Sequence, residues 1–360
     1  MGNTSHTSGN FNGLDVAKFI MAILVVTLHA HPLQEWSYNL NYAMTNGVTR
    51  IAVPYFFIAS GFLLFRKTTL YDFDRARIKR YLIHIFRLYM VWTAIYLPII
   101  LWMAVHHAKG ATYGILVAIR NTVMAGSYFQ LWFLQALLVA VIILALLLYW
   151  HVSLRNIFWL TFMGYVVALI GEPYYCVFAY FFPDGSFGYE VAKGLKKVFV
   201  TPRNGICFGA LFVFVGAYLS QRNCHIPLSR LKIYMACGFV LLLAEVMGTS
   251  FSGITQHGYM HDCYFMLLPL TICIFLYSKA VELPDLPIWS YLRKQSMFIF
   301  YIHTWWLFLA NAFLGSGKHA IVNLGSFGVY LVVLVLSILS SHVIIVLSRK
   351  PRFAFLRYLS

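Results

Sequence analysis

The chain has 360 residues, 61% of them hydrophobic and only 11% charged, with a mean hydropathy of +0.75. A soluble domain carries about 25% charged residues, so this composition excludes a water-soluble fold and makes lipid the solvent for the apolar surface. The net charge of +16 would point to nucleic acid in a soluble chain; here the basic residues lie between apolar runs, where they orient a membrane protein, and no nucleic-acid role is expected. The six cysteines are scattered, with no CxxC spacing and no His/Cys cluster, so neither a metal site nor a disulfide framework is expected.

The first thirteen residues, MGNTSHTSGNFNG, are polar and lack Lys and Arg. Without a basic n-region the run that follows reads as a retained signal anchor. Gly2 superficially fits a myristoylation pattern, but residue 6 is His, which argues against it. The first apolar run, 14–34, is LDVAKFIMAILVVTLHAHPLQ and carries Asp15, Lys18, His29 and His31. Eleven helical steps separate Lys18 from His29, about three turns plus 20°, so both share one face roughly 16 Å apart. An imidazole at membrane depth is costly unless it faces protein or water, which makes His29 a functional candidate. A neutral imidazole can take a proton from a hydroxyl or amine near neutral pH; the bland alternative is a polar contact between helices. Asp15 and Lys18 are spaced to pair, at a charged helix start or within a site.

A span needs about 20 mostly apolar residues. The chain offers ten such runs: 14–34, 47–65, 82–105, 129–150, 155–172, 205–220, 231–250, 260–278, 295–314 and 322–348. The expected fold is therefore an all-α polytopic bundle, one domain over residues 1–360. Arg50 opens the second run, where Pro54 would kink the helix and Ser60–Gly61 would allow close helix approach. Ahead of and into the third run, Arg77, Arg80, His84 and Arg87 recur at three- and four-residue spacing on one face. Arg87 lies one to two turns inside the run and wants a carboxylate or phosphate. Residues 108–128 read as an outer connection with a short re-entrant helix. Gln130, Trp132 and Gln135 put polar edges at the start of the fourth run. In the long outer loop 172–204, KGLKKVF reads as an interfacial amphipathic helix. Glu245 sits within the seventh run and is expected to partner an arginine. His261 and Asp262 begin the eighth; His303 lies in the ninth beside Trp305 and Trp306, which favour a membrane interface.

The loop after the second run concentrates Arg66, Lys67, Arg75, Arg77, Lys79 and Arg80, and Arg155, Arg230, Arg293 and Arg349 fall on the same side. Arg50, Arg120, Arg203 and Lys318 fall on the other. The positive-inside rule then places both termini in the cytoplasm and lifts His29 toward the outer leaflet.

Four motifs in order give the chain a wider likeness. A basic residue followed eleven positions later by His opens the first helix, with Lys18 where Arg is commoner. VPYFFIASGFLLF covers Val53 to Phe65. Trp132-Phe133-Leu134 starts the fourth helix, and Ser296 to His303 supplies an S-x-x-I-Y-x-I-H-like segment. This set resembles the type 3 integral-membrane acyltransferase family. The segments LDVAKFI, RIAVPYFF and TPRNGICFGALFVFVGAYL are similar to the membrane half of vancomycin-resistance serine racemases. The resemblance implies transfer of an acyl group, acetyl above all, from cytoplasmic acyl-CoA to a glycan or lipid-linked acceptor of the cell envelope. It implies His29 as the catalytic base; Lys18 is expected to orient charge from further along the same face, paired with Asp15. The family's Arg-x-x-Arg donor pair falls on His84 and Arg87, so its first Arg is absent, and Arg77 and Arg80 restore the spacing earlier. Acyl-CoA is thus expected at Arg77, Arg80, His84 and Arg87, and the acceptor at Arg50, Trp132, Gln135, His261, Asp262 and His303, without a metal. The expected setting is the bacterial cytoplasmic membrane, as monomer or homodimer. A transporter for serine or another small amino acid is the alternative; a structural or sensory membrane protein is the third reading.

Overall fold

In a computed structural model of the protein, residues 11–251, 261–315 and 321–359 are described. Most of the polar N-terminal tail, with its Gly2 pattern, and Lys318 lie outside the described residues. All regular structure within them is helical. The order is α1 (Asn12–Ala30), α2 (Tyr38–Asn46), a 3₁₀ turn (Val48–Ile51), α3 (Ala52–Phe65), α4 (Arg75–Val105), α5 (Ala111–Met124), α6 (Trp132–Tyr149) and α7 (Leu154–Gly171). Then come α8 (Tyr175–Phe181), α9 (Phe187–Phe199), a π turn (Gly205–Gly209), α10 (Ala210–Ser220), α11 (Leu228–Phe251), α12 (Leu267–Ala280), α13 (Pro287–Leu314) and α14 (Gly325–Leu347). A 3₁₀ segment, Pro351–Leu359, closes the described chain.

Among the described residues, eight helices are long and apolar enough to cross a membrane, and Gly205–Ser220 and Leu267–Ala280 are shorter apolar helices. Each of the ten predicted runs is thus an apolar helix, two of them shorter than a straight span needs. Boundaries moved for identifiable reasons. α1 stops at Ala30 because Pro32 follows: the residue before proline is driven out of the α region, and His31 adopts φ 48° with its N–H on Thr27 O. The second span begins earlier than its apolar run, since α2, the 3₁₀ turn and α3 join into one 28-residue element, Tyr38–Phe65. The Ser37 side chain caps it by accepting from Leu40 N. α4 starts at Arg75, where Asp74 accepts from Arg77 N, so the basic residues form its first turns rather than a loop. α5 and α9 occupy the predicted 108–128 and KGLKKVF segments.

α3 is the centre of the bundle. It packs on α10, α12 and α1, and most of its side chains are buried. Gly61 meets the backbone of Val213, and Gly216 meets that of Ile58. Glycine at both contacts lets the two backbones touch, the usual device for close helix packing in lipid. A side chain at either position would collide with backbone, which cannot swing away. Gly216→Leu is therefore expected to cost at least the ~1–3 kcal/mol of an overpacked core. A lowered melting temperature of the detergent-solubilised protein, or its loss from the membrane fraction, checks this. α1 lies against α13, α14 and α3, and this packing positions the site.

Candidate functional site

The C-terminal end of α1, the 3₁₀ turn before α3, the start of α6 and the strap 201–204 surround a cavity of about 320 Å³. His29, Arg50, Gln130, Trp132, Arg203 and Asp262 are among its walls, with His31 and His261 at the same end. Four of the residues expected at the acceptor, Arg50, Trp132, His261 and Asp262, are therefore brought to His29. Two are not among its walls. Gln135 donates from Nε2 to Val123 O at 2.9 Å, tying α6 to the end of α5. His303 is fully buried behind His29, with its Nε2 3.1 Å from His29 Nδ1. It lies inside the bundle although the neighbouring tryptophans suggested an interface.

His29 is partly buried, and its Nδ1 is 3.0 Å from Val25 O. A carbonyl oxygen only accepts, so in the neutral ring Nδ1 carries the proton and Nε2 is a bare lone pair. That is the form a general base needs.

Opposite it lies a buried ion cluster. Arg50 Nη1 pairs with Asp262 Oδ1, and Arg50 Nη2 donates to Asn46 Oδ1 at 3.0 Å. Arg203 Nη1 lies 2.6 Å from Asp262 Oδ2, and its guanidinium stacks over the Trp132 ring at 4.5 Å. The backbone N–H of Asp262 donates to Glu172 Oε2 at 3.2 Å, and Thr201 donates to Glu172 Oε1 at 3.2 Å. Two guanidinium groups thus converge on one carboxylate that is only 4% exposed. Nε of Arg50 and Nε of Arg203 are buried without a hydrogen-bond partner among the described residues. Burial lowers the Arg203 pKa and Glu172 opposes the shift. His261 is also pulled below its ordinary value, by burial and then by Arg50.

Gln130, one of the polar edges at the start of the fourth run, lines the cavity, whereas Arg203 and Glu172 are not among the residues expected at the site. Arg203 and Glu172 sit in the long connection between two apolar runs, where a single charge reads as an interfacial anchor. The available signal was the polar TPRN strap directly ahead of an apolar run. Glu245, expected to pair with an arginine, instead accepts from the Tyr174 hydroxyl and from Phe265 N at 2.6 Å and Met266 N at 2.8 Å. It satisfies open backbone donors at the start of α12, where the helix dipole favours an anion.

The remaining candidates are not at the cavity. Asp15 is held by Arg293, with Nε at 3.0 and 3.1 Å and Nη2 at 2.9 Å; Lys18 Nζ is 4.0 Å away. This cluster lies at the opposite end of α1 from His29. On α4, Arg77 donates to Leu63 O at 3.1 Å, and Arg80 pairs with Asp74 at 3.5 Å, both largely exposed. Arg87 Nη2 bonds His84 Nδ1 at 3.2 Å, and its guanidinium lies over the Tyr358 ring at 5.3 Å. Among the described residues, no group of three or more His, Cys, Asp or Glu could hold a metal ion.

A family model described as an acyltransferase domain, of the acyltransferase 3 type, matches residues 11–346. An amino-acid racemase of Enterococcus faecalis is 28% identical over 267 residues, covering 74% of this chain and 35% of that protein. A serine/alanine racemase of Enterococcus gallinarum is 25% identical over 331 residues, covering 91% of this chain and 45% of the relative. The chain thus spans less than half the length of these relatives. No solved structure matches it.

Proposed function

The chain belongs to the acyltransferase 3 family of membrane proteins, and from that premise we propose that it moves an acyl group from acyl-CoA to a cell-envelope acceptor. The acyl group is acetyl in the simplest case, and the acceptor is a hydroxyl or amine of a glycan or a lipid-linked intermediate. The observation that carries this reading is the bare Nε2 of a membrane-embedded His29 on a cavity with arginine, tryptophan and carboxylate walls.

His29 Nε2 takes the proton of the acceptor O–H or N–H as that atom attacks the thioester carbonyl. The electron pair of the broken bond forms the new bond to carbon. The tetrahedral intermediate then expels the CoA thiolate, which recovers the proton from His29, so the ring ends neutral. Trp132 offers an apolar face to a sugar ring, and the Arg50 and Arg203 donors and the His261 imidazole serve its hydroxyls. The donor approaches from the other end of α1. There Lys18, with Arg77, Arg80 and Arg87 on α4, supplies cationic groups for the CoA phosphates, His84, whose Nδ1 accepts from Arg87, adds a neutral ring N–H, and Asp15 holds the charge balance through Arg293. The reading puts this end in the cytoplasm of a bacterial cell.

Membrane vesicles given acyl-labelled CoA test it. Label should appear in a glycan or lipid fraction with matching CoA release. Label that never leaves CoA except to water contradicts it. Arg80→Gln with Arg87→Gln is expected to raise KM for acyl-CoA about tenfold, since two exposed ion pairs at up to about 1 kcal/mol each are together worth roughly that factor, with kcat kept. The names of the relatives favour a second reading, in which the cavity holds serine or a similar amino acid for transport. Uptake of labelled serine by vesicles lacking acyl-CoA would favour that reading.

A further inference from the structure

α1 and α13 pack along each other, and the contact sets two imidazoles ring to ring, with centroids 5.1 Å apart. Each Nδ1 faces the carbonyl four residues earlier in its own helix, Val25 O at 3.0 Å for His29 and Ile299 O at 3.1 Å for His303. Because a carbonyl cannot donate, the neutral His303 ring also carries its proton on Nδ1. Its Nε2 is therefore an acceptor, and it stands 3.1 Å from His29 Nδ1, whose single hydrogen is shared between this lone pair and Val25 O. His303 has 0% exposure, so no solvent competes for that lone pair. In the opposite tautomer of His303 two N–H groups would face each other across this gap, and Ile299 O would lose its donor.

We propose that His303 is a positioning residue for His29: its Nε2 lone pair accepts from His29 Nδ1, turns the bare Nε2 of His29 to the cavity, and shares the positive charge when that nitrogen gains a proton. This rests on the reading of His29 as the acyl-transfer base. When the acceptor's bond to hydrogen breaks and the N–H bond forms at Nε2, the ring becomes an imidazolium with protons on both nitrogens. Its Nδ1–H then bonds a neutral nitrogen in a low-dielectric setting, and such charge-assisted bonds are shorter and roughly twice as strong as neutral ones. The proton leaves again through Nε2 to the thiolate, so His303 gains and loses none. The ground state holds the weaker bond and the charged state the stronger, and only that difference speeds the chemical step.

Two variants separate this role from packing. His303→Leu fills the space without a lone pair; in His303→Gln the Oε1 reaches about as far as Nε2 and accepts. His303→Leu should insert normally and lose roughly tenfold to a hundredfold in kcat, the weight of one hydrogen bond to a charged group, with KM for acceptor and acyl-CoA unchanged. His303→Gln should recover most of the loss. In ¹⁵N-histidine-labelled protein in lipid, with the His29 signals assigned by difference against His29→Ala, His29 should be protonated on Nδ1 and bare on Nε2. The Leu variant should show a second population protonated on Nε2. Unchanged kcat in His303→Leu, a Gln variant as slow as the Leu variant, or a wild-type His29 protonated on Nε2 overturns the proposal. The nitrogen measurement needs no substrate. If no acyl transfer is found, the acyltransferase reading fails while the assignment of the pair is still decided by the spectrum.

Discussion

His29→Ala is expected to lower acyl transfer by a factor of about 10² to 10⁴, the usual contribution of a positioned general base. The protein should still reach the membrane and melt near the wild-type temperature. His29 is partly exposed to the cavity, so truncation widens an existing space rather than opening a sealed void. The variant also leaves His303 Nε2 facing that space, where water can satisfy it. Transfer of label from acyl-CoA in matched vesicles reads the loss. Retained activity would remove His29 from the chemistry and leave it as a polar tie between α1 and α13.

Asp262→Ala should act on stability first. Asp262 neutralises Arg50 and Arg203 together, and both arginine side chains are at most 20% exposed. Removing one partner of a buried pair leaves its charge uncompensated and typically costs about 3–5 kcal/mol. Here two like charges would be left facing each other. The strap 201–204, the segment at 261–262 and the start of α3 are held together by this carboxylate, so the cavity should open before the rest of the bundle. Thermal melting in detergent, with proteolysis of the 172–204 connection, reads the effect. A melting temperature equal to wild type would mean that the two guanidinium groups find solvent or lipid phosphate instead.

How much of this was legible in the sequence depended on distance along the chain. The apolar runs gave the helices directly, because length and hydropathy act locally. The shared face of Lys18 and His29 was legible from helical spacing, yet the two residues end at different clusters, since spacing fixes a face and not a neighbour. α2 escaped notice because its polar asparagines and Gly47 interrupt the apolar pattern, while the structure runs α2, the 3₁₀ turn and α3 together. Arg203 and Glu172 were read past because their meaning comes from Asp262, a residue reached only through folding. His303 stands out in the sequence for its depth in the ninth run, but its partner lies 274 positions away. Only the packing of α13 on α1 joins them. Arg80 and Arg87 keep the helical face that their spacing predicts and remain exposed on α4.

The central claim is that a thioester entering from the Lys18 end of the bundle meets an acceptor beside His29 Nε2. A single-particle structure of the full chain with a non-hydrolysable thioether analogue of acetyl-CoA tests it most directly. The account predicts density for the phosphates among the basic residues of α4 and α1, with the acyl end threaded to the cavity beside His29. Density that ends at the surface, with packed side chains between it and His29, would contradict it.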